Sequence, residues 1–163
     1  MSSFEDHGRS PLSLSRHAAI KRAEAELART RPRIEEYIKA ECLRLEQALL
    51  AARERDEDYA SFVADAYTAS QNLRDVAGSV GYPLIGFVAA NLCTIIETAD
   101  AVQMQYPASV IDCFFEALRL VQGRDYVEKT PKDLPHLTAG LLQTVELTKA
   151  MAVRTAQSAK QAS

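Results

Sequence analysis

Residues 61–81 read SFVADAYTASQNLRDVAGSVG. Within and around this stretch Phe62, Ala66, Ala69, Leu73, Val76 and Val80 recur at spacings of four, three, four, three and four. A helix turns once every 3.6 residues, so such spacings gather side chains into one stripe. A stripe that alternates fours and threes belongs to a helix packed at a shallow angle in a bundle. Gly81 provides a stop, and acidic residues at Asp56 to Asp58 favour the positive end of a helix dipole. The spacing therefore predicts a helix from about Asp56–Asp58 to Val80.

The same reading extends in both directions. Upstream, Ile34, Ile38, Cys42, Leu45 and Leu49 form an amphipathic stripe, with Arg33, Glu36, Lys39, Arg44 and Glu46 on other faces. Thr30-Arg31-Pro32 reads as the start of that helix, because proline suits a first turn where its missing N–H is not needed. It is predicted to run to about Arg55. Before it, Ser13 to Arg29 is alanine-rich and charged, with Leu14, Ile20 and Leu27 as its large apolar residues, and suggests a separate peripheral helix with a narrow seam. Downstream of the Gly81-Tyr82-Pro83 turn, Leu84, Val88, Leu92, Ile95, Ala99 and Val102 predict a helix ending near Tyr106-Pro107. Val110, Phe114, Leu118 and Val121 predict another over 108–122. After a loop from Lys129 to Pro135, a last helix from Leu137 to about Ser158 directs Leu137, Leu141, Val145 and Ala152 inward.

No strand competes with these six helices, and the class expected is all-α. The chain has 163 residues, 47% of them hydrophobic, which suits one core. The expected organisation is a disordered segment over 1–12, a peripheral helix over 13–30, a single helical domain over 31–158, and a disordered tail over 159–163. A formal net charge of -3 gives no overall basic field to recruit nucleic acid. No secretory leader or long uncharged apolar run is read, so the expectation is a cytoplasmic protein without a membrane span. Cys42, Cys93 and Cys113 form no Cys-x-x-Cys pair and are read as small core residues.

The segment from Ala69 to Gly86 is similar to the signature of histidine-containing phosphotransfer (HPt) domains of bacterial phosphorelays, roughly His-x-(Leu/Ile)-Lys-Gly-(Ser/Ala)-(Ala/Ser)-x-x-x-Gly. Leu73 falls on the family's apolar position, Arg74 on its basic one, Ala77 and Gly78 on small ones and Gly81 on the terminal glycine. The helix pattern resembles the family over residues 31–122, and the resemblance implies an antiparallel up-down four-helix bundle with extra N- and C-terminal helices. In this register Gln71 stands on the phosphoacceptor and Asp75 on the small glycine one turn later. An amide nitrogen delocalised into its carbonyl is no useful nucleophile, and a carboxylate at Asp75 repels incoming phosphate. The resemblance thus implies a protein without a catalytic residue at this position. Its partner would be a response-regulator receiver domain or a sensor kinase, bound through Tyr67, Thr68, Gln71, Arg74 and Asp75. Gln71 lies two residues from Ala69 and from Leu73, about 200 degrees round the helix from each, and is expected to face solvent.

Two alternatives stay open. One is an active phosphotransfer protein using another histidine, with His136 better placed than His7 or His17. The other is a structural or homodimerising bundle outside signalling, with the first and last helices as interface. Glu41, Glu46, Asp65, Glu97, Asp100 and Asp112 lack the Glu-x-x-His pairs of a carboxylate-bridged metal bundle and are read as solvated acids. Asn91 is read as a buried amide that fixes register, and Phe115 as a contact to the first or last helix. No phosphate loop, nucleophile elbow or metal-ligand cluster is found, so neither cofactor nor metal is expected.

Overall fold

A computed structural model describes residues 11–54 and 59–163, with side chains from Ser15 onward. The expected start of the third helix at Asp56–Asp58, His7, and most of the polar lead lie outside the described residues. All the regular structure within them is helical. The five α-helices are α1 (Pro11–Arg53), α2 (Tyr59–Val76), α3 (Pro83–Ala101), α4 (Ala108–Val121) and α5 (Pro135–Gln161), with 3₁₀ turns at Ala77–Val80, Arg124–Tyr126 and Pro131–Asp133. The chain divides into two compact units, Met1–Glu36 and Tyr37–Ser163.

In the first unit the expected break at Thr30–Pro32 does not form: the helix continues through Pro32. The i to i+4 pair between Arg31 Nε and Glu35 Oε1, 3.1 Å apart, bridges the proline turn. Every side chain from Ser15 to Arg29 is exposed.

In the second unit α3 is the hub, in contact with α2, α4 and α5. Leu84, Ile85, Val88, Leu92, Ile95 and Ile96 are all buried, so α3 is apolar around most of its circumference rather than along the single stripe expected. By length and composition α3 alone among the described helices is apolar enough to cross a bilayer, with a mean hydropathy of 1.4 over its best window. Half of that window is buried by neighbouring helices, as a central core helix requires. Contacting pairs fix the local directions. Tyr67 pairs with Glu97, and the backbone of Gly78 meets Gly86 near the turn, so α2 and α3 run antiparallel. Glu41 with Asn72 and Arg44 with Asp65 make α1 antiparallel to α2. Glu46 with Gln122 and Arg53 with Asp112 do the same for α1 and α4.

The α2 stripe is rotated slightly from its expected place. Val63, Ala66, Ala69, Ser70 and Leu73 are buried while Phe62, Val76 and Val80 are half-buried, because α2 is flanked by both α1 and α3. On α4, Ile111 rather than Val110 is buried. Helix α3 stops at Ala101, and Tyr106 folds back: its hydroxyl donates to Asp100 Oδ1 at 2.8 Å and lies 3.2 Å from the Ile96 carbonyl oxygen. The Tyr106 ring packs 6.1 Å from that of Tyr59, whose hydroxyl accepts from the Tyr106 amide. The tail expected over 159–163 is helical as far as Gln161.

Candidate functional site on the outer face of α2 and α3

Helix α2 buries Ala66, Ala69 and Leu73 and turns Tyr67, Thr68, Gln71, Arg74 and Asp75 to the other side. The five residues expected to form a surface therefore share one face, since positions four, seven and eight apart lie nearly in line on a helix. Thr68, Arg74 and Asp75 are exposed. Gln71 and Tyr67 are half-buried, so Gln71 is more enclosed than its spacing implied. The Thr68 hydroxyl is turned inward along its own helix, donating to the Ala64 carbonyl at 3.0 Å.

Two polar ties order this face. The Tyr67 hydroxyl donates to Glu97 Oε1 on α3 at 2.7 Å, which spreads the surface across both helices. That hydrogen bond to a carboxylate, which is lost on ionisation, holds the phenol protonated above its ordinary range. Arg74 Nε donates to Asp75 Oδ1 at 3.0 Å, and this bond raises the guanidinium pKa further above its ordinary value. Beneath them lies Cys93, buried, its thiol pushed up to about 11 by desolvation, with Arg74, Glu97 and Asp75 close enough to act on it electrostatically. The face thus carries two carboxylates and one guanidinium, and the guanidinium is already partnered by a carboxylate. Among the described residues of this surface the one guanidinium is engaged by a carboxylate rather than turned toward an incoming anion.

The turn that ends α2 sets the depth of the face. Ala77 is fully buried, and Gly81 adopts a left-handed conformation at φ 93°, where glycine has no side-chain penalty. Its carbonyl accepts the Glu128 amide at 2.8 Å. A Cβ on Gly86 would meet the Gly78 backbone nitrogen at 3.4 Å and the Ala77 Cβ at 3.9 Å. At these distances a methyl at Gly86 would make ordinary van der Waals contact with the turn, so the start of α3 packs closely against it. Gly78 instead faces outward, where a Cβ would meet nothing within 4 Å.

Glu97 belongs to this surface although its sequence context reads as a solvated acid. The signal was its position: Tyr67 and Glu97 each stand fifteen residues from Tyr82, as partners across an antiparallel helical hairpin must. The other acids are ties as well. The Asn72 amide donates to Glu41 at 3.0 Å, and Gln122 donates to Glu46 at 2.6 Å. Asn91 does not tie two helices: its amide donates to the Phe87 carbonyl of its own helix at 2.8 Å. Phe115 is half-buried with the Arg119 guanidinium 5.7 Å above its ring, while Phe114 fills the core. Cys42 and Cys93 are core residues as expected, and Cys113 is half-buried with its sulfur 3.8 Å from the Thr144 hydroxyl.

His17 is exposed on α1, and His136 is exposed at the start of α5, in a groove with Cys113, Glu116 and Leu120. Among the described residues, those lining that groove come from α4 and α5 and include none of the α2 residues around Gln71. Among the described residues no three His, Cys, Asp or Glu side chains gather as metal ligands. The chain matches no protein-family model, no curated protein and no solved structure.

Proposed function

We propose that the chain is a phosphotransfer-like signalling protein of bacterial type, a four-helix HPt-like bundle that binds a receiver domain or sensor kinase in the cytoplasm without accepting phosphate. The observation that carries this reading is the placement of Gln71. It stands on the outward face of α2, followed by Arg74 and by the small-residue turn that closes against Gly86. An amide at that point offers hydrogen bonds but no nucleophilic nitrogen. Tyr67 and the Tyr67–Glu97 bond give a preorganised contact patch with an aromatic residue at its edge, a composition suited to protein recognition. The antiparallel pairing of α1 with α2 and α4, and of α2 with α3, fits an up-down bundle.

The test incubates wild type, Gln71→His and Gln71→His with Asp75→Gly with phosphorylated receiver domains of the source organism, reading both phosphate transfer and binding. Wild type is expected to bind without becoming labelled, and the histidine variants, the double one above all, to accept phosphate. Absence of binding by every form would overturn the reading. Labelled wild type would instead favour phosphotransfer through another histidine. His136, exposed in a groove that Glu116 also lines, is the first to test, and loss of label in His136→Gln would establish it.

A further inference from the structure

In the first unit apolar residues of α1 repeat with a period of seven, exposed at Ile20, Ala23 and Leu27 and half-buried at Thr30 and Ile34. Ile20, Leu27 and Ile34 stand seven apart, with Ala23 and Thr30 three residues after the first two. A helix that places apolar residues at these first and fourth heptad positions presents a seam able to pack against another helix. Ile20 is 49% and Leu27 64% exposed, far more than a large aliphatic side chain in a packed seam. Thr30 suits such a seam because its hydroxyl donates to the Glu26 and Leu27 carbonyls of its own helix, leaving the methyl for contact. Pro32 and Ala28, whose backbone bond proline removes, fall on the opposite side, so the interruption does not touch the seam.

The charges flanking the seam identify the occupant. Glu24 and Arg31 stand on one flank, directly after the fourth heptad positions. Glu26 and Arg33 stand on the other, directly before the first. We infer that this stripe is a self-association surface, on which a second copy of the same helix lies antiparallel. In the register that sets Leu27 against Thr30 of the second copy, Ala23 meets its Ile34. Each of these layers sets a large side chain against a smaller one. That same register brings Glu24 to Arg31 of the second copy and Glu26 to its Arg33, and twofold symmetry repeats both pairs. No like charges face each other. A parallel pair in the same heptad frame matches only Glu26 with Arg31, and Arg33 finds no acid opposite. The charge pattern therefore selects the antiparallel arrangement. The inference stands apart from the phosphotransfer-like reading, which concerns α2.

The test is sedimentation of the full-length chain over a concentration series, with helicity followed by circular dichroism. Wild type is expected to dimerise reversibly. Leu27→Asp is expected to raise the dimer Kd at least about tenfold, equal to about 1.4 kcal/mol. Leu27→Gln is a milder variant of the same kind should the aspartate disturb the helix. Glu24→Arg alone and Arg31→Glu alone are each expected to weaken dimerisation, and the double reversal to restore it. In a parallel dimer Arg31→Glu would face Glu26, and the double reversal would stay weak. A wild type that stays monomeric, or a dimer indifferent to both Leu27 variants, overturns the surface. A double reversal no stronger than Arg31→Glu overturns the antiparallel register.

Discussion

Ser70 occupies a fully buried position on α2, and among the described residues its Oγ has no hydrogen-bond partner. A hydroxyl withdrawn from water without a partner costs about 1–3 kcal/mol, whereas a methyl in the same place costs nothing of the kind. Ser70→Ala is therefore expected to raise stability by about 1 kcal/mol, read as a higher midpoint of urea unfolding at unchanged slope. A lowered midpoint would show that the hydroxyl is satisfied in solution. Thr148, the other fully buried hydroxyl residue, differs in that its Oγ1 donates to the Thr144 carbonyl at 2.9 Å, so the same exchange there lacks that gain. One α-helical sequence thus holds serine where its polar atom is a liability. Spacing alone placed Ser70 between Ala69 and Gln71 and could not say that both flanks of α2 are covered.

At the scale of the helices, α1 carries its proline in a stretch where little opposes the cost. A proline inside a helix removes one backbone hydrogen bond and crowds the preceding turn, at about 3 kcal/mol. Residues 15–29 are exposed, so tertiary packing does not offset that cost there. Pro32→Ala is expected to slow amide exchange through residues 20–36 by about tenfold or more, with little change in exchange of the α3 core. Unchanged exchange over that stretch would mean that the proline turn is already as firm as its neighbours. This element also marks a limit of what the sequence discloses. Thr30-Arg31-Pro32 has the chemistry of a helix start, and proline at a first turn and proline inside a continuous helix look alike over three residues. The helix nevertheless continues through Pro32, with the Arg31–Glu35 pair spanning that turn and offsetting only a small part of the cost. By contrast the core of the α2 stripe and its glycine stop were legible, because spacing and the left-handed stop act locally, whereas Pro83, read as part of the turn, is the first residue of α3.

Across the whole molecule, the all-helical class follows from local periodicity, but the interhelical ties do not. Glu41 with Asn72, Glu46 with Gln122, Tyr67 with Glu97 and Asp100 with Tyr106 depend on which helices or turns become neighbours, which each segment read by itself leaves open. The same packing buries two thiols whose ionisation then couples to global stability. Burial holds Cys93 up to about 11 and, with Glu46 and Glu41 adding repulsion, Cys42 up to about 12, from an ordinary value of 9.0. In the unfolded chain both thiols release protons from about pH 9, whereas the folded chain retains them, so the folded state binds more protons in this window. Their contribution is fully present below pH 9.0, falls as pH rises, and is exhausted for Cys93 beyond about 11 and for Cys42 beyond about 12. Tyr106, raised first by burial and then by its bond to Asp100, adds in the same direction. Urea unfolding in steps from about pH 7 to about pH 11 is expected to show stability declining above about pH 9, with a shallower decline in Cys42→Ala with Cys93→Ala. If the double variant loses stability as steeply as wild type over that interval, the buried thiols are not the groups that make the fold sensitive to alkali.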